Sequence, residues 1–287
     1  MKLGVVFPQS EISSDAGAVR EFAQAADALG YTHLLAFDHV IGADRSTRPD
    51  WNGPYDVNSL FHEVFVLFGF LAGLTTHLEL TTGILILPQR QTVLVAKQAA
   101  EIDVLTNGRL RLGVGIGWNP VEYEALNENF SDRGRRSAEQ VELLKLLWTE
   151  QSVTFAGRWH HVDAAGIKPL PVQRPIPVWF GGYQNATMQR IARLGNGWIC
   201  TSPPNDRVRE IRGVLAHELE RARRDPSTVG IEGQMRLSSG LEECQRVANE
   251  WKALGATHIS LNTMNAGLTS PQDHIDAIRV FKSEVEM

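Results

Sequence analysis

A chain of 287 residues is long enough to bury a large apolar core without disulfide or metal staples. Hydrophobic residues make up 43% and charged residues 21%, and a net charge of −5 leaves no basic footprint for nucleic acid or an anionic membrane. Two cysteines, Cys200 and Cys244, argue against a disulfide framework or a cysteine-built zinc site, and the apolar run 3–7 is too short for a signal peptide or membrane span, so the cytoplasm is the expected location.

Short β-rich runs alternate with longer helical patterns. Strands are predicted at residues 2–7, 32–37, 78–82, 110–114, 176–180, 197–201, 232–237 and 257–262. Several are almost continuously apolar, as parallel strands covered on both faces should be. A helical pattern follows each. Val19, Phe22, Ala23 and Ala26 share one face of the first, which Gly30 could end. The second is expected over 58–74. Val93, Ala96, Ala100 and Val104 mark the third, and Val141, Leu144 and Trp148 the fourth. The others fall at 185–194, 206–223, 241–254 and 271–282.

The segment Ala28-Leu29-Gly30-Tyr31-Thr32-His33-Leu34 recurs as Ala253-Leu254-Gly255-Ala256-Thr257-His258-Ile259, and weakly as Ala192-Arg193-Leu194-Gly195-Asn196-Gly197-Trp198. Each copy is a helix end, a turning glycine and a strand. Eight such βα units predict an α/β fold, a single (β/α)₈ TIM barrel over 1–287 with an insertion at 151–175, between the fourth helix and fifth strand. A doubly wound open sheet is the alternative, but Gly4-Val5-Val6-Phe7-Pro8 lacks the Gly-x-Gly-x-x-Gly turn after the first strand.

Barrel chemistry sits where strands end. Those junctions here are rich in glycine and small hydroxyl residues and poor in acids, with no His-x-His, so no metal is expected. His160-His161 falls in the insertion and reads as surface or hairpin. Arg133, Arg135 and Arg136 read as a solvated or ion-paired helix start. Gly181-Gly182 is either a tight turn or a set of backbone N–H groups opening a helix, which is how phosphates are held.

In chain order, Asp38-His39, Thr82-Gly83-Ile84-Leu85-Ile86-Leu87-Pro88, Ala96-Lys97-Gln98, Leu105-Thr106-Asn107-Gly108-Arg109, Gly113-Val114-Gly115-Ile116-Gly117-Trp118 and Pro177-Val178-Trp179-Phe180-Gly181-Gly182 resemble the bacterial luciferase-like family, the luciferase-like monooxygenases. Within it they look most like the branch assigned to the deazaflavin coenzyme F420. The resemblance implies F420 as cofactor, with FMN the alternative, and a small-molecule substrate beside the ring. It implies His39 as the catalytic residue next to the ring's reactive carbon. Asp38, Gly83, Ile84 and Gly115 join the cofactor set, although the plainer reading of Asp38 is a residue that orients a neighbour or caps a turn. Thr201 adds a hydroxyl to the phosphate end at Gly181 and Gly182, and the Gly83–Ile84 peptide is expected to be cis. A homodimer, and a separate flavin or F420 reductase, are expected partners.

Trp118 departs from the sugar-phosphate-oxidising relatives, which carry a glutamate acid after the equivalent Gly-x-Gly. An indole transfers no proton, so Trp118 points to an apolar or aromatic substrate pocket. Trp51, with Asn52 and Tyr55, lies on the long polar loop 42–58, either a lid over the pocket or ordinary loop packing. Two other functions stay open. One is an FMN-dependent monooxygenase using reduced flavin and O₂, and the other a non-catalytic flavin-binding protein.

Overall fold

The structure is a computed structural model and describes residues 1–285. Its strands are β1 (Lys2–Val6), β2 (His33–Ala36), β3 (Glu79–Thr82), β4 (Leu85–Ile86), β5 (Leu110–Gly115), β6 (Val153–Ala156), β7 (His161–Ala165), β8 (Val178–Gly181), β9 (Gly197–Ile199), β10 (Gly230–Arg236) and β11 (His258–Asn262). Eight of them, β1, β2, β3, β5, β8, β9, β10 and β11, pair in parallel. The pairing of β3 with β5, Leu80 opposite Leu110, closes the ring into the predicted barrel. β4 is a short extension on β5, and β6 and β7 form an antiparallel hairpin inside the expected insertion.

The helices are α1 (Ala16–Ala28), α2 (Val64–Ala72), α3 (Thr92–Leu105), α4 (Pro120–Ala125), α5 (Arg133–Thr149), α6 (Asn185–Leu194), α7 (Asp206–Arg221), α8 (Leu241–Ala253) and α9 (Pro271–Glu284). Asp15 caps α1, and Val19, Phe22, Ala23 and Ala26 are buried on its predicted face. Gly30 and Gly255 turn the chain at φ +72° and +81°, the left-handed region that favours glycine, which explains why the two fuller copies share it; Gly195 of the weak copy is extended at φ −90°.

Two of the predicted helices differ from expectation, and the short α4 was not predicted. α2 begins at Val64, not near 58, because Glu63 is its cap: its carboxylate accepts the Val66 N–H at 2.8 Å and pairs with Arg90 at 2.7 Å. The residues before it remain loop. In α3 the buried stripe is Val95, Ala96, Ala99, Ala100 and Ile102, leaving Val93 exposed, so the inner face is rotated from the expected one. No described helix is long and apolar enough to cross a membrane.

Inward-facing side chains stack in layers, since alternate strand residues face the axis. The layer near the strand starts is ionic. Arg111 of β5 pairs with Glu232 of β10 and with Glu79 of β3 at 2.6 Å, and His33 lies 3.0 Å from Glu232 and from Ser260. Above it, Val6, Leu35, Trp179, Ile199 and Met264 form an apolar layer against Phe37 and Ile84. The strand ends above that layer open into a cavity.

Candidate active site

The Gly83–Ile84 peptide at the end of β3 is cis. It turns Ile84 across the barrel mouth, where two glycines, Gly115 and Gly181, give it room. A Cβ on Gly115 would lie 1.6 Å from Ile84 Cδ1, and one on Gly181 would lie 2.8 Å from Ile84 Cγ2. A Cβ on Gly83 would strike Leu35 in the apolar layer. These glycines therefore let the Ile84 side chain form the floor of the mouth. Asp38 braces the same bulge from behind, accepting the Ile86 N–H at 2.9 Å and pairing with Arg90 at 2.6 Å.

Above Ile84 lies a cavity of about 560 Å³, inside the ~300–1,000 Å³ range of small-ligand sites. Gly83, Ile84, Gly181, Gly182 and Thr201 form one part of its wall; His39, Tyr55, Phe61 and Trp118 form another. The sequence-predicted residues His39, Gly83, Ile84, Gly181, Gly182, Thr201 and Trp118 are thus brought together. Three others are not at the surface of the cavity. Asp38 is buried in its ion pair, in keeping with the plainer reading of an orienting residue. Gly115 lies beneath Ile84. Trp51 stacks on Trp118 from outside, ring centroids 5.6 Å apart, and donates its indole N–H to the Tyr55 carbonyl at 3.0 Å.

Tyr55, with Pro54 beside it, brings the loop to the site. Its ring sits 3.7 Å from that of His39, and Phe61 packs edge-on at 4.7 Å. The Tyr55 hydroxyl is buried with no hydrogen-bond partner among the described residues, and burial pushes its phenol well above the ordinary value, so it keeps its proton. The loop is braced by Arg45, bonded to Asp56 at 2.5 Å and to the Gly53 carbonyl at 2.8 Å.

His39 has a partner that the sequence did not reveal. Its Nδ1 lies 3.2 Å from Oε1 of Glu122, the third residue of α4. The Glu122 side chain is only 1% exposed, yet its carboxylate also accepts the Val40 N–H at 3.1 Å and the Gln89 amide at 3.2 Å. Burial works against its charge, but the bonds from His39, Gln89 and Val40 prevail and hold its carboxyl below the usual glutamate range. The signal in the sequence was Asn119-Pro120. Asn119 caps α4 through its side chain, accepting the Val121 N–H at 2.9 Å, and proline stands at the first helical position. That start turns Glu122 back toward the mouth.

At the opposite wall, Gly182 holds φ +126° and its carbonyl accepts the Trp198 indole N–H at 2.9 Å. The following helix α6 has no side-chain cap. The Tyr183 hydroxyl accepts the backbone N–H groups of Thr201 and Ser202, both at 3.0 Å, and lies 3.0 Å from the Thr201 hydroxyl. Arg236 also lines the cavity and has no ion-pair partner among the described residues. The histidines and arginines set aside in the sequence lie elsewhere. His160 is held between Glu139 and Thr92 at the hairpin rather than at the surface, and Arg136 pairs with Glu128.

A closed parallel barrel with a histidine and a glycine-lined cavity at the carboxyl ends of its strands defines a class of (β/α)₈ ligand-binding barrels. The chain belongs to the luciferase-like monooxygenase family, whose model matches residues 1–277. An FMNH(2)-dependent dimethylsulfone monooxygenase of Pseudomonas fluorescens (strain Pf0-1) is 31% identical over 204 residues, 69% of this chain and 52% of that enzyme. Among solved structures, a monooxygenase from Streptomyces bottropensis superposes with a TM-score of 0.82 at 18% identity, over 99% of this chain and 98% of that one. An F420-dependent secondary alcohol dehydrogenase in complex with an F420–acetone adduct gives a TM-score of 0.77 at 18% identity, again over 99% and 98%. An FMNH(2)-dependent monooxygenase is thus a relative by sequence and an F420-dependent dehydrogenase a neighbour by fold, and fold alone does not choose between them.

Proposed function

We propose that the chain is an oxidoreductase that moves a hydride between coenzyme F420 and a small organic substrate at the barrel mouth. The observation that carries this reading is the meeting of the Ile84 floor, the Gly181-Gly182 turn and His39 around one cavity. The residues fit a flat ring with a phosphate-bearing tail. Ile84 offers an apolar floor, and the uncapped start of α6 leaves N–H groups for a phosphate. Arg236 is a cation with no carboxylate partner among the described residues.

A bound deazaflavin would supply hydride acceptance and donation; the remaining work falls to this chain. Oxidising a hydroxyl-bearing carbon releases a proton as well as a hydride, and an imidazole suits that proton near neutral pH. His39 would receive it, and Tyr55, Phe61 and Trp118 would hold an apolar or aromatic substrate against the floor. The 31%-identical FMNH(2)-dependent relative keeps reduced FMN as the second reading.

Expression in a host that makes both F420 and FMN, followed by anaerobic purification, tests the choice. Retention of F420, identified by absorbance and mass, supports the proposal. Retention of FMN alone overturns it in favour of the second reading.

A further inference from the structure

We infer that Glu122 is a positioning residue for His39: its carboxylate fixes the imidazole as the Nδ1–H tautomer and leaves Nε2 as the bare, proton-accepting nitrogen. This rests on the reading above only in giving that nitrogen a task.

The argument starts from donors and acceptors. Glu122 Oε1 accepts the Val40 N–H at 3.1 Å, and Oε2 accepts the Gln89 amide at 3.2 Å. Both contacts need the carboxylate as an acceptor. With no proton of its own to give, its 3.2 Å contact with His39 Nδ1 is a bond only if Nδ1 carries the hydrogen. A neutral imidazole has one ring hydrogen, so Nε2 is then an acceptor. No protein group among the described residues bonds Nε2.

The carboxylate is itself held rigidly. The Asn119 side chain and Pro120 fix the start of α4, and the Tyr123 hydroxyl donates to the Ile116 carbonyl at 2.6 Å in the turn before it. Tyr55 and Phe61 pack on the imidazole from two sides, so the ring has little freedom to turn its nitrogens over. Other imidazoles in the molecule also meet carboxylates; one of them, His33 with Glu232, is sealed inside the barrel at 1% exposure for both side chains, whereas His39 lines the cavity.

The test is a long-range ¹H–¹⁵N correlation spectrum of the full chain labelled on histidine nitrogens, recorded without ligand, with His39 assigned by loss of its signals in His39→Gln. Wild type is expected to show the Nδ1–H pattern for His39. Glu122→Gln, whose carbonyl can still accept, should keep it, and Glu122→Met should spread the population onto the Nε2–H tautomer. An Nε2–H pattern in wild type, or an unchanged Nδ1–H pattern in Glu122→Met, overturns the inference. The wild-type spectrum decides by itself should Glu122→Met not fold. Because no cofactor is present, failure to bind F420 sinks the reading above and leaves this result standing, and the reverse holds equally.

Discussion

The two ends of the barrel use the same residue types to opposite purposes. At the closed end, a histidine, two glutamates, an arginine and a serine bond to one another: Arg111 answers both Glu79 and Glu232, and His33 and Ser260 complete the set around Glu232. At the mouth, a histidine and a glutamate meet again, but the set is left open. Among the described residues, His39 keeps one nitrogen without a protein partner, the Tyr55 hydroxyl has none, and Arg236 has no counter-ion. The closed end also keeps one donor unpaired among the described residues, Arg111 Nη2, but that guanidinium lies over the Trp179 ring and does not line the cavity, whereas free groups beside a cavity can bind or react. Position alone does not separate them, because both are linked to buried carboxylates.

That contrast is sharpened first by removing the central cation of the closed end. Arg111→Met leaves Glu232 buried with His33 as its only remaining charge partner among the described residues, which should cost about 3–5 kcal/mol in denaturant unfolding. Where the variant still folds, its affinity for F420 should match wild type. The second test works the mouth. His39→Ala should cut single-turnover hydride transfer around 10²-fold, equivalent to about 2.7 kcal/mol, with cofactor binding intact. A fall below threefold would make this histidine as structural as His33.

A third test uses pH. Burial, with the charges of Arg111 and His33 beside it, pushes the His258 imidazole down to about 3. Between about pH 6.5 and that value the unfolded chain binds a proton that the folded chain refuses, so stability falls as pH falls. From pH 6.5 to 5 this group should account for roughly 2 kcal/mol. His274, also pushed down by burial, acts in the same direction, and it and the carboxylates are common to wild type and variant. The measured quantity is therefore the slope of stability against pH in wild type minus that in His258→Phe, and equal slopes would contradict the assignment.

The smallest expected effect is at the phosphate wall. Gly182→Asp sets a carboxylate where the backbone already holds φ +126°, and a Cβ there would approach Thr187 Oγ1 to 3.1 Å. Affinity for F420 should fall at least tenfold, about 1.4 kcal/mol, and unchanged binding by a folded variant would move the phosphate elsewhere.

Much of the fold was legible because it repeats. Apolar runs of strand length, each followed by a helical stripe and a turning glycine, determine a parallel barrel almost without reference to detail. The glycines of the mouth were legible as a group, but not by role. Nothing in the spacing tells Gly115, which makes room for Ile84, from Gly182, which faces the cavity. Asp38 was legible as a junction residue, while its ion pair with Arg90, 52 positions away, is a tertiary fact. Glu122 was hidden for the same reason, 83 positions from His39 on a helix of six residues that hydrophobic periodicity does not mark. Tyr183 was passed over because its part is to occupy the Thr201 and Ser202 N–H groups, a bond that only the packed β8 and β9 ends reveal.

The central claim is that the open set at the mouth is built for a deazaflavin. Its most direct test is anaerobic titration of the full chain with F420 and with FMN, each followed by fluorescence quenching and then in competition. At least tenfold tighter binding of F420, a difference of about 1.4 kcal/mol, is the predicted result. Tight binding of FMN with no binding of F420 would contradict it.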